Sequence, residues 1–467
     1  MTNTLTVDYL VIGAGASGMA FVDTLLSESQ ASVVMVDKLD KPGGHWNDAY
    51  SFVTLHQPSS FYGVGSKELS KGVLDKVGLN AGFHELASGY EILAYYDNLM
   101  RERFLPSGQV TFLNKSEYLG DGRVRSLLTN GETQIVYKKI VDSTYYKTSI
   151  PATHTPAFDI AENVQLIPPN GLPARKSAAK DYVLVGAGKT AIDTCIWLLQ
   201  HGIEPDDIRW IMPRDAWLLN RKNTQPSDQF FFDTIGAQAS QMEAIAAADS
   251  MEDLFLRLEK AGVLMRVDTS IFPPMFHGAT ISEQELEQLR RVKNIIRMGR
   301  VTAINSTEIV LENGQVPTST ETVHIDCTAS AITNLDTRPI FEDNAITLQT
   351  VRAYQPVFSA SFIAHIELTY DDIEKKNSLT RVVPLPNHTA DWMTMTYKNM
   401  MNQFFWSKEP GLKQWLLSNR LDGFMTMVNG VRFYQLKKLK VLNRMRKAAK
   451  PAVEKLKKFS EEYSKTK

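Results

Sequence analysis

The stretch Val7-Asp-Tyr-Leu-Val-Ile-Gly13-Ala-Gly15-Ala-Ser-Gly18-Met19 decides the fold. Val7 to Ile12 is a short, largely apolar run ending on glycine, and apolar positions then recur at helical spacing through Met19, Phe21, Val22, Leu25 and Leu26. The pattern predicts strand, tight turn and helix. A second apolar run, Ser32-Val-Val-Met-Val36, stops at Asp37 and closes a β-α-β unit of about 30 residues. Within the G-x-G-x-x-G, Gly13 allows the turn, Gly15 lets a pyrophosphate approach the backbone, and Gly18 lets the helix pack on the strand. The bare N–H groups of the helix start, at Ala16 and Ser17, then face the phosphates. Asp37, 24 residues after Gly13 and followed by Lys38, is placed to accept hydrogen bonds from a ribose.

The same grammar returns downstream. Asp181-Tyr-Val-Leu-Val185 leads into Gly186-Ala-Gly188-Lys189-Thr190-Ala191, a helix follows through Ile192, Cys195, Ile196, Leu198 and Leu199, and Gly202 stands where a C-terminal cap belongs. Ile208-Arg-Trp-Ile-Met212 is the next strand, and it ends in Pro213-Arg214 where the first unit has its acid. A guanidinium at that place favours a 2′-phosphate over a free hydroxyl, so NADPH is expected here in preference to NADH, with Arg221 and Lys222 as additional charge.

Between the units the spacing predicts a helix around Glu91 to Phe104 and an antiparallel meander from Val110–Leu113, Val124–Leu128 and Thr133–Tyr137. Ser149 to Pro173 is rich in Pro and Thr and is expected to cross between domains, with a boundary near Lys176. Helical spacing fills Ile235 to Gly262, and Asn313-Gly314 marks a hairpin. The expected division is residues 1–175 for the first part of one domain, 176–320 for the second domain with a helical insertion, 321–435 for the return to the first domain with a substrate region, and 436–467 for a basic tail. Trp392, Met393, Met395, Tyr397, Met400, Met401 and Phe404-Phe405-Trp406 form an apolar stripe, expected in the core, with a substrate lining as the alternative. The tail holds 12 Lys/Arg and 3 acidic residues, against 39 and 49 before it. It is expected as a solvated amphipathic helix broken at Pro451, with a membrane surface, an acidic partner or another subunit as the alternative use of its charge.

Composition sets the outer limits. A chain of 467 residues with 43% hydrophobic content buries a large core in two or three domains, which excludes disorder as its main state. The balance of 51 Lys+Arg and 52 Asp+Glu gives no global field for nucleic acid. Two cysteines, Cys195 and Cys327, with no C-x-x-C exclude a disulfide scaffold, a zinc ribbon and a dithiol redox motif, and a cytoplasmic setting is expected. No signal peptide, spanning stretch, Ser-His-Asp arrangement or metal-spaced His cluster is evident, so no metal site is expected.

Two dinucleotide units with Gly43-Gly44-His45-Trp46 shortly after the first acid resemble the flavin-containing and Baeyer–Villiger (class B) FAD- and NADPH-dependent monooxygenases. A further point of resemblance is His324-Ile-Asp326-Cys-Thr328-Ala, which stands where that family has its second flavin-closing strand. The resemblance implies an α/β fold of two Rossmann-like domains, one for FAD and one for NADPH, with small meanders and a helical C-terminal region. It puts FAD on the first unit, with Gly44, His45 and Trp46 near the pyrophosphate and ribityl chain. His56 and Gln57, in Phe52-Val-Thr-Leu-His56-Gln57-Pro58-Ser59, become flavin-facing polar groups and the candidate catalytic residues. Ser116 becomes a backbone contact to adenine, and Thr328 joins the cofactor set.

The chain departs from the pattern at two places. The linker Tyr145-Tyr146-Lys147-Thr-Ser-Ile-Pro-Ala-Thr-His154 lacks the F-x-G-x-x-x-H fingerprint, and Asp142-Ser-Thr-Tyr145 carries tyrosine where the family has glycine. The implied activity is transfer of one oxygen atom from molecular oxygen to a small organic substrate. A non-oxygenating NADPH-dependent reductase or dehydrogenase, and a non-catalytic flavoprotein scaffold or sensor, stay open as alternatives.

Overall fold

A computed structural model describes residues 3–330, 332 and 336–464. Its first sheet is built on the strand Asn3–Ile12, which pairs in parallel with Val33–Val36 on one side and Glu132–Asp142 on the other. The helix Ala16–Glu28 makes the crossover and buries Gly18, Met19, Ala20, Phe21, Val22 and Leu25. It packs against a second apolar helix, Pro356–Thr369, from the other end of the chain.

Val110–Leu113 is not part of the meander that the sequence suggests. It lies parallel to Val33–Val36, with Met35 opposite Phe112, after the helix Gly89–Leu99 has carried the chain across. A helix between two strands makes a parallel crossover, whereas a meander needs tight turns. The meander is instead Ser116–Gly120, Arg123–Ser126 and Glu132–Asp142.

The second sheet is parallel throughout, in the order Ile295–Ile296, Ile208–Ile211, Tyr182–Val185, Val323–Asp326 and Gln165–Ile167. All four residues of Tyr182–Val185 and of Val323–Asp326 are buried, as expected for strands covered on both faces. This order corrects one expectation. The segment from His324 to Thr328 closes the second sheet and not the first, whose return strand is Ala345–Thr347 beside Glu132–Asp142. Both sheets end in a short apolar strand at the same place, so a local motif does not say which sheet it joins. The strand Gln165–Ile167 also lies ahead of Lys176, inside the Pro- and Thr-rich crossing.

Asn313-Gly314 does turn a hairpin, between Glu308–Leu311 and Gly314–Pro317, with Val301–Ile304 as a third strand. The Ala- and Met-rich region forms the helices Phe231–Ala247 and Met251–Lys260. Trp392, Met393 and Met395 bury among Phe255, Phe276 and Leu258, while Trp406 stacks at 4.4 Å from Phe362 in the core of the first domain. The stripe therefore ties two cores together through the helix Asp391–Lys408.

The tail is one helix, Leu436–Ser464, and Pro451 does not break it. Proline in a helix interior costs about 3 kcal/mol relative to alanine. Val441, Ala448, Ala452, Leu456 and Phe459 bury on both sides of the proline, against Phe231–Ala247 and Asp391–Lys408, and Pro451 itself faces water. That burial holds the helix through the defect.

A Cβ on Gly18 would sit 2.2 Å from the Gly13 carbonyl oxygen, a backbone atom that cannot swing away. Gly18→Ala is expected to lower stability by about 1–3 kcal/mol, measured by urea unfolding, and an unchanged midpoint would contradict the tight strand–helix approach.

Candidate functional site

The first cradle is shaped by what its glycines leave out. Gly13 has φ of +96°, and a Cβ there would lie 2.6 Å from Ser143 Oγ. Ser143 donates to the carbonyls of Ile12, at 2.6 Å, and Gly13, at 3.0 Å, and so pins the turn. Gly15 and Gly44 face each other across the floor: a Cβ on Gly15 would meet Gly44 Cα at 3.7 Å and Gly44 N at 4.0 Å, both ordinary contacts. Gly43 N–H donates to Ala14 O at 2.9 Å and folds the segment Gly44–Asp48 over the turn. No side chain caps the helix Ala16–Glu28, so its first N–H groups, around Ala16 and Ser17, remain available to an anion.

Asp37 stands at the end of the second strand as expected, and its carboxylate accepts from Ala14 N–H at 2.6 Å and Leu39 N–H at 2.8 Å. Ser116 is brought beside it, since Ser116 N–H donates to Asp37 O at 2.9 Å. Lys38 points outward to Glu117 at 2.8 Å. Trp46 donates from Nε1 to Tyr62 Oη at 2.7 Å, and His45 stacks on Trp46 with ring centres 5.1 Å apart. His45 is exposed to water on one side, and the protein around it pushes its pKa down to about 4 by removing part of its hydration.

The second cradle repeats the design. Gly186 has φ of +120°, and a Cβ would lie 2.7 Å from Cys327 O, whereas one on Gly188 would meet nothing within 4 Å. Buried Trp210 donates from Nε1 to Gly186 O at 2.7 Å and fixes the turn. The helix Lys189–Gln200 also lacks a side-chain cap. Lys189 turns back to pair with Asp193, whose other oxygen accepts from Tyr50 Oη at 2.7 Å, with Thr190 next to that hydroxyl. Thr328 lies at this cradle, its N–H and Oγ1 donating to Asp326 Oδ1 at 2.9 and 2.6 Å. It therefore flanks Gly186, away from the first glycine turn.

Arg214 is exposed at the strand end and makes no ion pair among the described residues. Partial burial and the neighbouring Arg300 lower its pKa, so the two guanidinium groups repel one another in the absence of a shared anion. Arg221 departs from the sequence expectation. It is 1% exposed and pairs with Glu285 at 2.8 Å, so its charge is already used inside the protein. Lys222 is held by Asp233.

His56, on a loop of the first domain, is held by groups of the second. Arg221 Nε donates to His56 O at 3.0 Å, and Thr280 N–H donates to His56 Nδ1 at 3.3 Å. Burial, with the charges of Lys189 and Arg221, pushes the His56 pKa down to about 3. The ring is neutral, and because Nδ1 accepts, its proton resides on Nε2. Gln57 beside it is half-buried and makes no side-chain hydrogen bond among the described residues. Sequence reasoning missed Ser143 and the Tyr50–Asp193 contact. A small hydroxyl residue at the end of the strand beside the glycine strand was the available signal for Ser143, whereas nothing local announces a contact spanning 143 residues.

Among the described residues no three His, Cys, Asp or Glu side chains gather as a metal site, no helix is long and apolar enough to cross a membrane, and Cys195 and Cys327 are free and buried. Fold and site together define an α/β protein with two Rossmann-type units, and the NAD(P)-binding Rossmann-like domain matches residues 11–57. The chain belongs to the same family as the Mycobacterium tuberculosis protein named "Uncharacterized protein Rv2000", with which it is 47% identical over 420 residues, 90% of this chain and 78% of the relative. Similar solved structures include an ε-caprolactone-bound cyclohexanone monooxygenase, at 15% identity and TM-score 0.48 over 80% of this chain and 88% of that one. Another is a flavin-containing monooxygenase from Stenotrophomonas maltophilia, at 15% identity and TM-score 0.43 over 81% and 99%.

His56 stays neutral in the fold but titrates near 6.5 in an unfolded chain. The unfolded state therefore binds more protons as the pH falls, and the associated stability, complete above about pH 6.5, is lost on the way toward about pH 3. Urea unfolding at about pH 7 and about pH 5 should show this loss, and His56→Asn should show a shallower one. Equal pH dependence in both proteins would exclude His56 as a source.

Proposed function

We propose that this protein is an FAD-dependent oxidoreductase that uses NADPH, and that it is a monooxygenase acting on a small organic substrate with molecular oxygen. The observation that carries the reading is the pair of open glycine cradles in one chain, with a neutral histidine of the first domain held by groups of the second. The residues suit the two cofactors: the backbone is open at Gly15 and Gly188, both helix starts are bare, an acid ends one second strand and an unpaired arginine the other. FAD would be held by Gly13, Gly15, Ala16, Ser17, Gly18, Asp37, Gly44, His45, Trp46 and Ser116, with Lys38 at the rim. NADPH would be held by Gly186, Gly188, Lys189, Thr190 and Arg214, with Thr328 beside the turn. The cofactors supply the hydride and oxygen chemistry.

What remains for the protein is placement and proton control. His56 presents Nε2–H, and its neutrality means that donation at that atom brings no buried cation with it. Gln57 adds an unpartnered amide. Lys189 must leave Asp193 to meet a phosphate, which couples the second cradle to Tyr50 on the first domain.

Purified protein should be yellow, oxidise NADPH, and consume oxygen in step with an oxygenated product found by mass analysis in a substrate screen. Oxygen consumed only to peroxide would favour the non-oxygenating reading, and colourless protein indifferent to NADPH would defeat both. Gly15→Val should abolish flavin retention, because its side chain stands where a pyrophosphate must approach the backbone. Arg214→Ala should weaken NADPH by roughly tenfold to a hundredfold, the worth of one hydrogen-bonded charge, and leave NADH almost unchanged. Equal loss for both would remove the phosphate role.

A further inference from the structure

Charge is stored unevenly along this chain, and the fold puts the excess on one surface. From Gly423 to Val453 there is no Asp or Glu, while residues 432–450 carry eight Lys/Arg. Two of these cations serve the fold: Lys438 is buried against Phe231 and paired with Asp228, and Arg444 forks onto Glu243. Arg432, Lys437, Lys440, Arg446 and Lys447 are exposed and make no ion pair among the described residues. Lys450 has only Glu454, at 3.9 Å.

The helix Leu436–Ser464 turns its apolar side inward, so the cations on its other side form an outward strip. At the start of that strip stand Phe433, Tyr434 and Leu436, which are 86%, 68% and 67% exposed. Phe433 packs edge-on against Tyr434 with ring centres 5.5 Å apart, and among the described residues none of the three belongs to a core cluster.

We propose that the strip from Arg432 to Lys450 docks on an anionic lipid bilayer, with Phe433, Tyr434 and Leu436 entering the headgroup layer. The bilayer matches both features at once: lipid phosphates meet the unpaired cations, and the boundary of the acyl layer takes the ring and leucine side chains. Cationic stems also lie along such a boundary while their heads stay wet. The body before residue 436, with 39 Lys/Arg and 49 Asp/Glu, is repelled by the same surface, which leaves the strip as the face that approaches.

The test is sedimentation of the full chain with vesicles of phosphatidylcholine alone and with vesicles in which phosphatidylglycerol replaces part of it. Binding is expected only to the anionic vesicles, and it should fade as salt shortens the Debye length below about 10 Å. The combined Phe433→Ser, Tyr434→Ser and Leu436→Ser variant, and the combined Lys437→Glu, Lys440→Glu, Arg446→Glu and Lys447→Glu variant, should each bind at least roughly tenfold more weakly. Their thermal melting should match the wild type, since every altered side chain is exposed. Failure to bind anionic vesicles, or equal binding by these variants, overturns the proposal. So does self-association without vesicles that the same substitutions abolish, which would make a second copy of the chain the occupant.

Discussion

The two helices that leave the glycine turns, Ala16–Glu28 and Lys189–Gln200, begin with their first N–H groups free of a side-chain cap, and the architecture is arranged around those ends. A side-chain cap is worth about 0.5–2 kcal/mol, and the chain supplies one at Ser88, Ser250, Ser282 and Asp372. At Gly15 and Gly188 it supplies glycine, which removes the cap and the Cβ together. The backbone around each turn is then secured from outside the helix, by Ser143 in one unit and Trp210 in the other. An open, rigid, positively polarised pocket floor results, and its natural complement is a phosphate.

The joint between the domains follows from the same economy of charge. Arg221 is almost wholly buried, and it survives there because Glu285 neutralises it while Asn80 Oδ1 and the carbonyls of His56 and Thr280 take its remaining N–H groups. Removing one partner of such a buried pair is strongly destabilising, because the other is left charged and unpaired. The result is that the loop carrying His56 is held by the second domain although it follows the first in sequence. The cation that secures His56 O also helps to keep the His56 ring neutral.

The two units were legible because each depends on local order: strand, glycines, helix, strand. Gly13, Gly15, Gly18 and Asp37 fall where that order puts them, and so do Gly186, Gly188 and Arg214. Non-local pairing was not legible. Val110–Leu113 alternates well enough for a meander, and only the helix before it marks it as a parallel strand. The strand ahead of Thr328 has the composition of either sheet's last strand, and its neighbour is chosen by tertiary packing. Pro451 signals a helix break by local propensity, and burial of Ala448, Ala452, Leu456 and Phe459 outweighs that signal. Arg221 looked like a phosphate ligand because a sequence shows charge without burial. The role of His56 needed two partners, Arg221 and Thr280, that lie 165 and 224 residues away.

The chain passes between the two sheets twice, once from Asp142 to the strand Gln165–Ile167 and once from Asp326 to Phe341–Glu342. Side chains also join the domains, among them Tyr50 on Asp193, Arg221 on His56, and Asn170 Nδ2 on Asp48 O at 3.0 Å, beside the helix Asp391–Lys408 that buries side chains in both cores. The first of these is shared with Lys189, the cation nearest the second glycine turn. Lys189 and Tyr50 thus sit on the two oxygens of one carboxylate, so the second glycine turn and the joint between the domains meet at Asp193.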